Sequence, residues 1–96
     1  MMDLDYYIKS QAGNLCAALH RNINDNFVSV SFAVTDSGDV SIKIILLELT
    51  ETEKEYIEDI DGEFSAVQWE DPFVDICVEI YGDDSQPLEN LVYRRR

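Results

Sequence analysis

His20, Cys16, Cys77 and the run Asp59-Ile60-Asp61-Gly62 are the places where the residue types of this chain invite chemistry. His20 is the only histidine, so a catalytic triad or a histidine metal site lacks its parts. Its position near the end of a helical stripe suits a charge that offsets the helix dipole. The two cysteines have neither the CxxC spacing of a redox or zinc motif nor the density of a disulfide scaffold, and are expected to be reduced thiols in the core. Asp59-Ile60-Asp61-Gly62 fails as a calcium loop: with Gly62 at the loop glycine, Ile57 and Gln68 fall at the first and last ligand positions, where carboxylates are required. Gly13, Gly38, Gly62 and Gly82 are scattered, so no phosphate loop, nucleophile elbow or dinucleotide fingerprint occurs. No catalytic residue, metal or cofactor is expected.

What remains is charge. From 48 to 84 the chain carries fourteen carboxylates against Lys54 alone, and the net charge is −13. Unpaired charge on this scale destabilises a small domain by self-repulsion, while drawing basic partners in over long distances. Within that stretch Trp69, Glu70, Asp71, Phe73, Asp75, Glu79 and Tyr81 lie close together. Carboxylates facing one another with no cation between them would waste stability on a purely structural sheet, whereas acids interleaved with Trp and Tyr suit the grip on a basic protein. Asp59, Asp61, Glu63, Trp69, Glu70, Asp71, Asp75, Glu79 and Tyr81 are therefore the candidate partner-binding residues. Direct nucleic-acid binding is not expected, because phosphate recognition draws on clustered cations and this chain has seven, three of them Arg94, Arg95 and Arg96. That basic tip either folds back onto the acidic face or frays.

The elements that position these residues follow from periodicity. Leu4, Ile8, Ala12, Leu15 and Leu19 recur at helical steps over 3–22, with Asp3 and Asp5 at the positive end of the dipole. Gly13, in the middle, is expected to mark a close approach to a sheet. Residues 27–34 alternate, placing Val28, Val30, Phe32 and Val34 on one face; 35–39 supply a turn with Gly38 at positive φ; 40–49 return as a second strand. Ile45, Leu47 and Leu49 make that strand apolar on its other face too, so it is central or covered. Thr50-Glu51-Thr52-Glu53 is a capping box opening a short helix that Gly62 stops. Residues 64–69 and 73–81 read as a second antiparallel pair around Glu70-Asp71-Pro72, with Val74, Ile76, Val78 and Ile80 inward and Phe73, Asp75, Cys77, Glu79 and Tyr81 on the opposite face. Residues 88–96 form a short tail helix or extended arm.

Apolar residues at 46% and aromatics at 10% are too rich for a disordered tail, so residues 1–96 should form one domain that buries about two-thirds of its unfolded surface. The expected class is α+β: a four-stranded antiparallel sheet with the N-terminal helix packed on one face, in the order α-β-β-α-β-β plus a short tail. Acids stand at the N-terminus where a signal peptide needs cations, and no apolar run approaches the roughly twenty residues of a membrane span, so a cytoplasmic protein is expected.

In size, acidity, lack of catalytic residues and compact α+β pattern the whole chain resembles the small acidic immunity proteins and antitoxins of bacteria. The resemblance implies a partner, a basic toxin domain such as a nuclease, whose phosphate-binding groove the carboxylates would occupy or flank after electrostatically steered association. Two alternatives stand beside it. A DNA mimic would present carboxylates in two rows at phosphate pitch to block a nucleic-acid enzyme. An acidic subunit or adaptor would bury Ile45, Leu47 and Leu49 in a homodimer or a mixed assembly.

Overall fold

The computed structural model describes residues 3–69 and 71–95. Helix α1 (Leu4–Leu19) opens at Asp3, whose carboxylate accepts the Tyr6 amide at 3.2 Å, and ends where Arg21 takes the left-handed conformation at φ 73°. Strands β1 (Phe27–Val34) and β2 (Val40–Leu46) form the expected hairpin, with Gly38 at φ 95° in the turn. The Tyr7 hydroxyl donates to the Gly38 carbonyl at 2.5 Å and fastens the start of α1 to that turn.

The second half departs from the antiparallel expectation. Helix α2 (Glu51–Ala66) does not stop at Gly62 but runs on through Phe64, and 64–69 is no strand. The stripe that drives it is Glu53, Tyr56, Ile57, Ile60 and Phe64, at helical spacing and turned to the core. Sixteen residues of helix cover about 24 Å, close to the roughly 23 Å of the seven-residue β2. The chain is thus returned to the end where β2 began, and β3 (Val74–Ile80) enters parallel to β2, from Val40↔Val74 through Leu46↔Ile80. Of the two expectations for the tail, the extended arm holds and the helix does not: among the described residues 88–95, β4 (Asn90–Arg94) pairs antiparallel with β1. The sheet is mixed, in the order β3-β2-β1-β4, with both helices on one face; β2, apolar on both sides, is interior as expected.

The core lies between that face and the helices. It comprises Leu15, Ala18 and Leu19 of α1, Ile60 and Phe64 of α2, and Phe27, Val30, Phe32, Val40, Ile42, Ile44 and Leu46 of the sheet. A bulge between Phe27 and Ser29 lets Phe27 join the inward row and makes Val28 the extra residue, a shift that strict alternation misses. On the other face the nine residues between β3 and β4 cross β2 and β1, fastened by Lys43 Nζ to the Gln86 carbonyl at 2.7 Å and by the Leu88 amide to Ser31 Oγ at 2.8 Å. Ser31 and Ile45 are buried there. Cys16 and Cys77 are free but exposed, not core thiols. Gly13 meets nothing within 4 Å of a would-be Cβ, so it marks no close approach to the sheet.

The capping box at Thr50 is present, and its acid does more than cap. Glu53 is buried; its Oε1 accepts the Thr50 hydroxyl at 2.5 Å and the Thr50 amide at 2.6 Å, and its Oε2 accepts Asn24 Nδ2 at 2.7 Å. These bonds, the Thr50 hydroxyl first, hold its carboxyl at about 2 instead of 4.5. Because the folded value is depressed, this contribution is whole above pH 4.5 and is lost as pH falls toward 2. Urea titrations across pH should show Glu53→Gln less stable than wild type at neutral pH, with a flatter loss over that acid window; parallel curves would contradict this role. Gly62, helical and with open space where a Cβ would stand, gives a second check. Gly62→Ala should raise stability by about 0.5–1 kcal/mol, whereas a stop glycine would make the same change destabilising.

Candidate protein-binding edge

Strand β3 is one rim of the sheet, and among the described residues its backbone is half unpaired. Phe73 accepts the Val40 amide at 2.9 Å and the Tyr81 amide donates to Leu46 at 2.7 Å, so odd-numbered residues carry the ladder to β2. The amides and carbonyls of Val74, Ile76, Val78 and Ile80 therefore point away from the sheet. The other rim, β4, is blunted by its five-residue length, by a bulge in its pairing and by Arg94. β3 has seven residues in unbroken register, without proline or lysine.

The side chains along β3 sort by face. Val74 and Ile76 pack against the core as expected, but Val78 and Ile80, expected inward, are exposed, Ile80 by 51%. The cause is the slant of α2. Its first turns lie over β1, where Tyr56 meets Phe27 at a ring separation of 6.4 Å, and its last turn reaches the start of β3, where Ser65 and Gln68 line a shallow cleft with Phe73 and Val74. The far end of β3 is left uncovered. Phe73 (69% exposed) and Tyr81 (56%) bracket the strand, and Leu47 and Leu49, just past β2, are exposed as well.

Acids stand on both sides of this rim without sharing a face. Asp75 and Glu79 lie on the sheet face opposite the helices, in register with Ser41 and Ile45. The expectation that no cation stands among them is corrected by Lys43, which lies in register with Cys77 and brings its Nζ within 3.7 Å of Glu79 Oε2. Asp61, Asp59 and Glu63 are on α2, on the other side of the sheet. Asp61 accepts the Ser65 hydroxyl at 3.4 Å and so shares the side of α2 that looks toward β3. Glu63 turns the other way and accepts Asn22 Nδ2 at 2.6 Å beside α1; Asp59 is exposed. Asp71, at φ 46°, lines the cleft at the start of β3, and Trp69 stands 97% exposed after α2. Glu70 and Arg96 lie outside the described residues.

The structure thus gathers Asp61, Asp71, Asp75, Glu79 and Tyr81 around one strand and leaves Asp59 and Glu63 apart. Sequence reasoning missed Val78 and Ile80 as exposed surface, and left Phe73 out of the candidate residues although it placed it in the acid-and-aromatic cluster. Their signal was the length of the α2 stripe, since a helix long enough to span the sheet implies a parallel return and a β3 at the rim. Beside the rim a groove of about 820 Å³ runs between the start of α1, the β1–β2 turn and the end of α2. On it Gln11 and Gln68 pair through both amides at 2.6 and 3.0 Å, and Tyr6 and Trp69 are exposed alongside. Among the described residues no three of His, Cys, Asp and Glu are grouped to hold a metal ion, and no helix is long and apolar enough to cross a membrane. Compared with known proteins, the chain matches no protein-family model and no curated relative.

As the single tryptophan, Trp69 reports on the field at this end of the rim. Relative to neutral N-acetyltryptophanamide under the same conditions, its quenching by iodide should be reduced more than its quenching by caesium, because the local potential is negative. Equal reduction, or a larger one for caesium, would contradict that reading.

Proposed function

We propose that the protein is a non-catalytic binding protein for a basic protein partner, and within that class an immunity protein or antitoxin that neutralises a toxin domain such as a nuclease. One observation carries this: the exposed β3 rim joins aliphatic and aromatic surface to carboxylates on both sides. A surface of that kind desolvates its apolar centre on binding while its charged margin steers the approach. The apolar row is also what favours a protein partner over imitation of duplex DNA, since matching phosphates has no use for Phe73, Val78 and Ile80. Inhibition comes from occupancy: the acids engage the Lys and Arg side chains with which a nuclease would hold its substrate, and rapid steered association caps the toxin before it acts.

The steering acids should be separable from the fold. Glu79 is a poor choice for reversal because Lys43 stands beside it, whereas Asp61 and Asp75 are exposed and outside any ion pair among the described residues. Asp61→Lys with Asp75→Lys should leave the melting temperature nearly unchanged. The same pair should slow association with the basic partner recovered from native cells by about tenfold at low salt, and by much less at high salt. A partner without net positive charge, or association rates indifferent to both salt and charge reversal, would refute the proposal.

A further inference from the structure

We propose that the basic partner binds by adding a strand to the free edge of β3, its Lys or Arg side chains facing Asp75 and Glu79 on one side of the extended sheet and apolar side chains covering Val78 and Ile80 on the other. This inference rests on the reading of the protein as a binder of basic partners and says how the contact is made. Three observations support it. First, the outward amides and carbonyls of Val74, Ile76, Val78 and Ile80 form a continuous template for main-chain hydrogen bonds, the mode by which open sheet edges capture extended segments. Second, this edge lacks the bulge, the short length and the basic residue that blunt β4, so within one sheet one rim is guarded against added strands and the other is not. Third, side chains of an added strand alternate in direction, and so do the properties they would meet: carboxylates on the face opposite the helices, where Asp75 is exposed and Glu79 half-buried beside Lys43, and uncovered aliphatics on the helix face.

The charge pattern also chooses the occupant. A second copy of this chain pairing β3 antiparallel about Cys77 would set Asp75 opposite Glu79 twice and bring together two molecules of net charge −13. Like charges directly opposite destabilise a strand pair. An added strand bearing cations at alternate positions removes that penalty. Phe73 and Tyr81, exposed at either end of β3, would close over the first and last residues of the incoming segment.

The test uses a synthetic peptide of alternating lysine and valine matched in length to β3, together with an analogue N-methylated on the backbone edge that must bond. Amide exchange is followed by NMR on the full chain at low salt. Exchange at Ile76 and Val78 should slow by at least about tenfold on saturation with the peptide. The N-methylated analogue should bind at least about tenfold more weakly. Val78→Pro, which removes an amide directed away from β2, should weaken peptide binding similarly without loss of the fold. Salt-dependent binding of peptide and analogue alike, with the edge amides unprotected, would overturn strand addition and leave the charge-based reading standing. If no cationic peptide binds even at low salt, the charge-based reading fails as well. Edge amides already protected in the free protein, with a dimer in sedimentation, would assign the edge to a second copy and overturn the inference.

Discussion

A parallel pair of neighbouring strands can be made only by a chain that comes back from the far end of the first strand before starting the second. Here that return is α2, and the ladder from Val40↔Val74 to Leu46↔Ile80 fixes the place of β3 in the sheet. β3 becomes a rim instead of half of a hairpin, and its even-numbered backbone groups are left without partners among the described residues. The slant of α2, from Phe27 at one end to the start of β3 at the other, covers Val74 and Ile76 but not Val78 and Ile80. The long passage from β3 to β4 then crosses the opposite face and shields Ser31 and Ile45; of the large apolar residues in the strands, Val78 and Ile80 are left exposed on the β3 edge and Leu91 on the β4 edge.

Charge is placed around that edge under the same constraint. Cations are few, and the structure uses Lys43 to tie the crossing segment at Gln86 while standing near Glu79, and Lys54 to meet Glu51 one turn away on α2. Exposed pairs like the second are worth only a fraction of a kcal/mol. The acid that does most for the fold is Glu53, which is buried and fully hydrogen-bonded at the start of α2. Most of the other acids of α2 and β3 make no such contribution, and their mutual repulsion is a cost that contact with a basic surface would relieve.

Much of the first half was legible in the sequence because its signals are local. The α1 stripe, the alternation of β1, the Gly38 turn and the Thr50 capping box each need only a few neighbouring residues to specify them. The second half was misread at Gly62. Glycine after an acidic helix commonly marks a stop, yet Ile60 and Phe64 continue the buried stripe across it and outweigh its propensity cost of about 1 kcal/mol. That single boundary turned 64–69 into a strand, the parallel pair into a hairpin, and Val78 and Ile80 into core. Of the candidate site, the mixture of acids and aromatics from Trp69 to Tyr81 was readable, and with it the proposal of a contact surface there. The division of its acids between two faces, and the presence of Lys43 among them, depends on strand register that no local pattern encodes.

The open edge of β3 can be examined in the free protein without any partner. Residue-resolved amide exchange over 74–80 in dilute solution should alternate: slow at Asp75, Cys77 and Glu79, whose amides bond to β2, and fast at Val74, Ile76, Val78 and Ile80, whose amides face solvent. The opposite alternation, or uniform protection along the strand in a monomer, would mean that β3 is paired otherwise and would remove the edge on which the account stands.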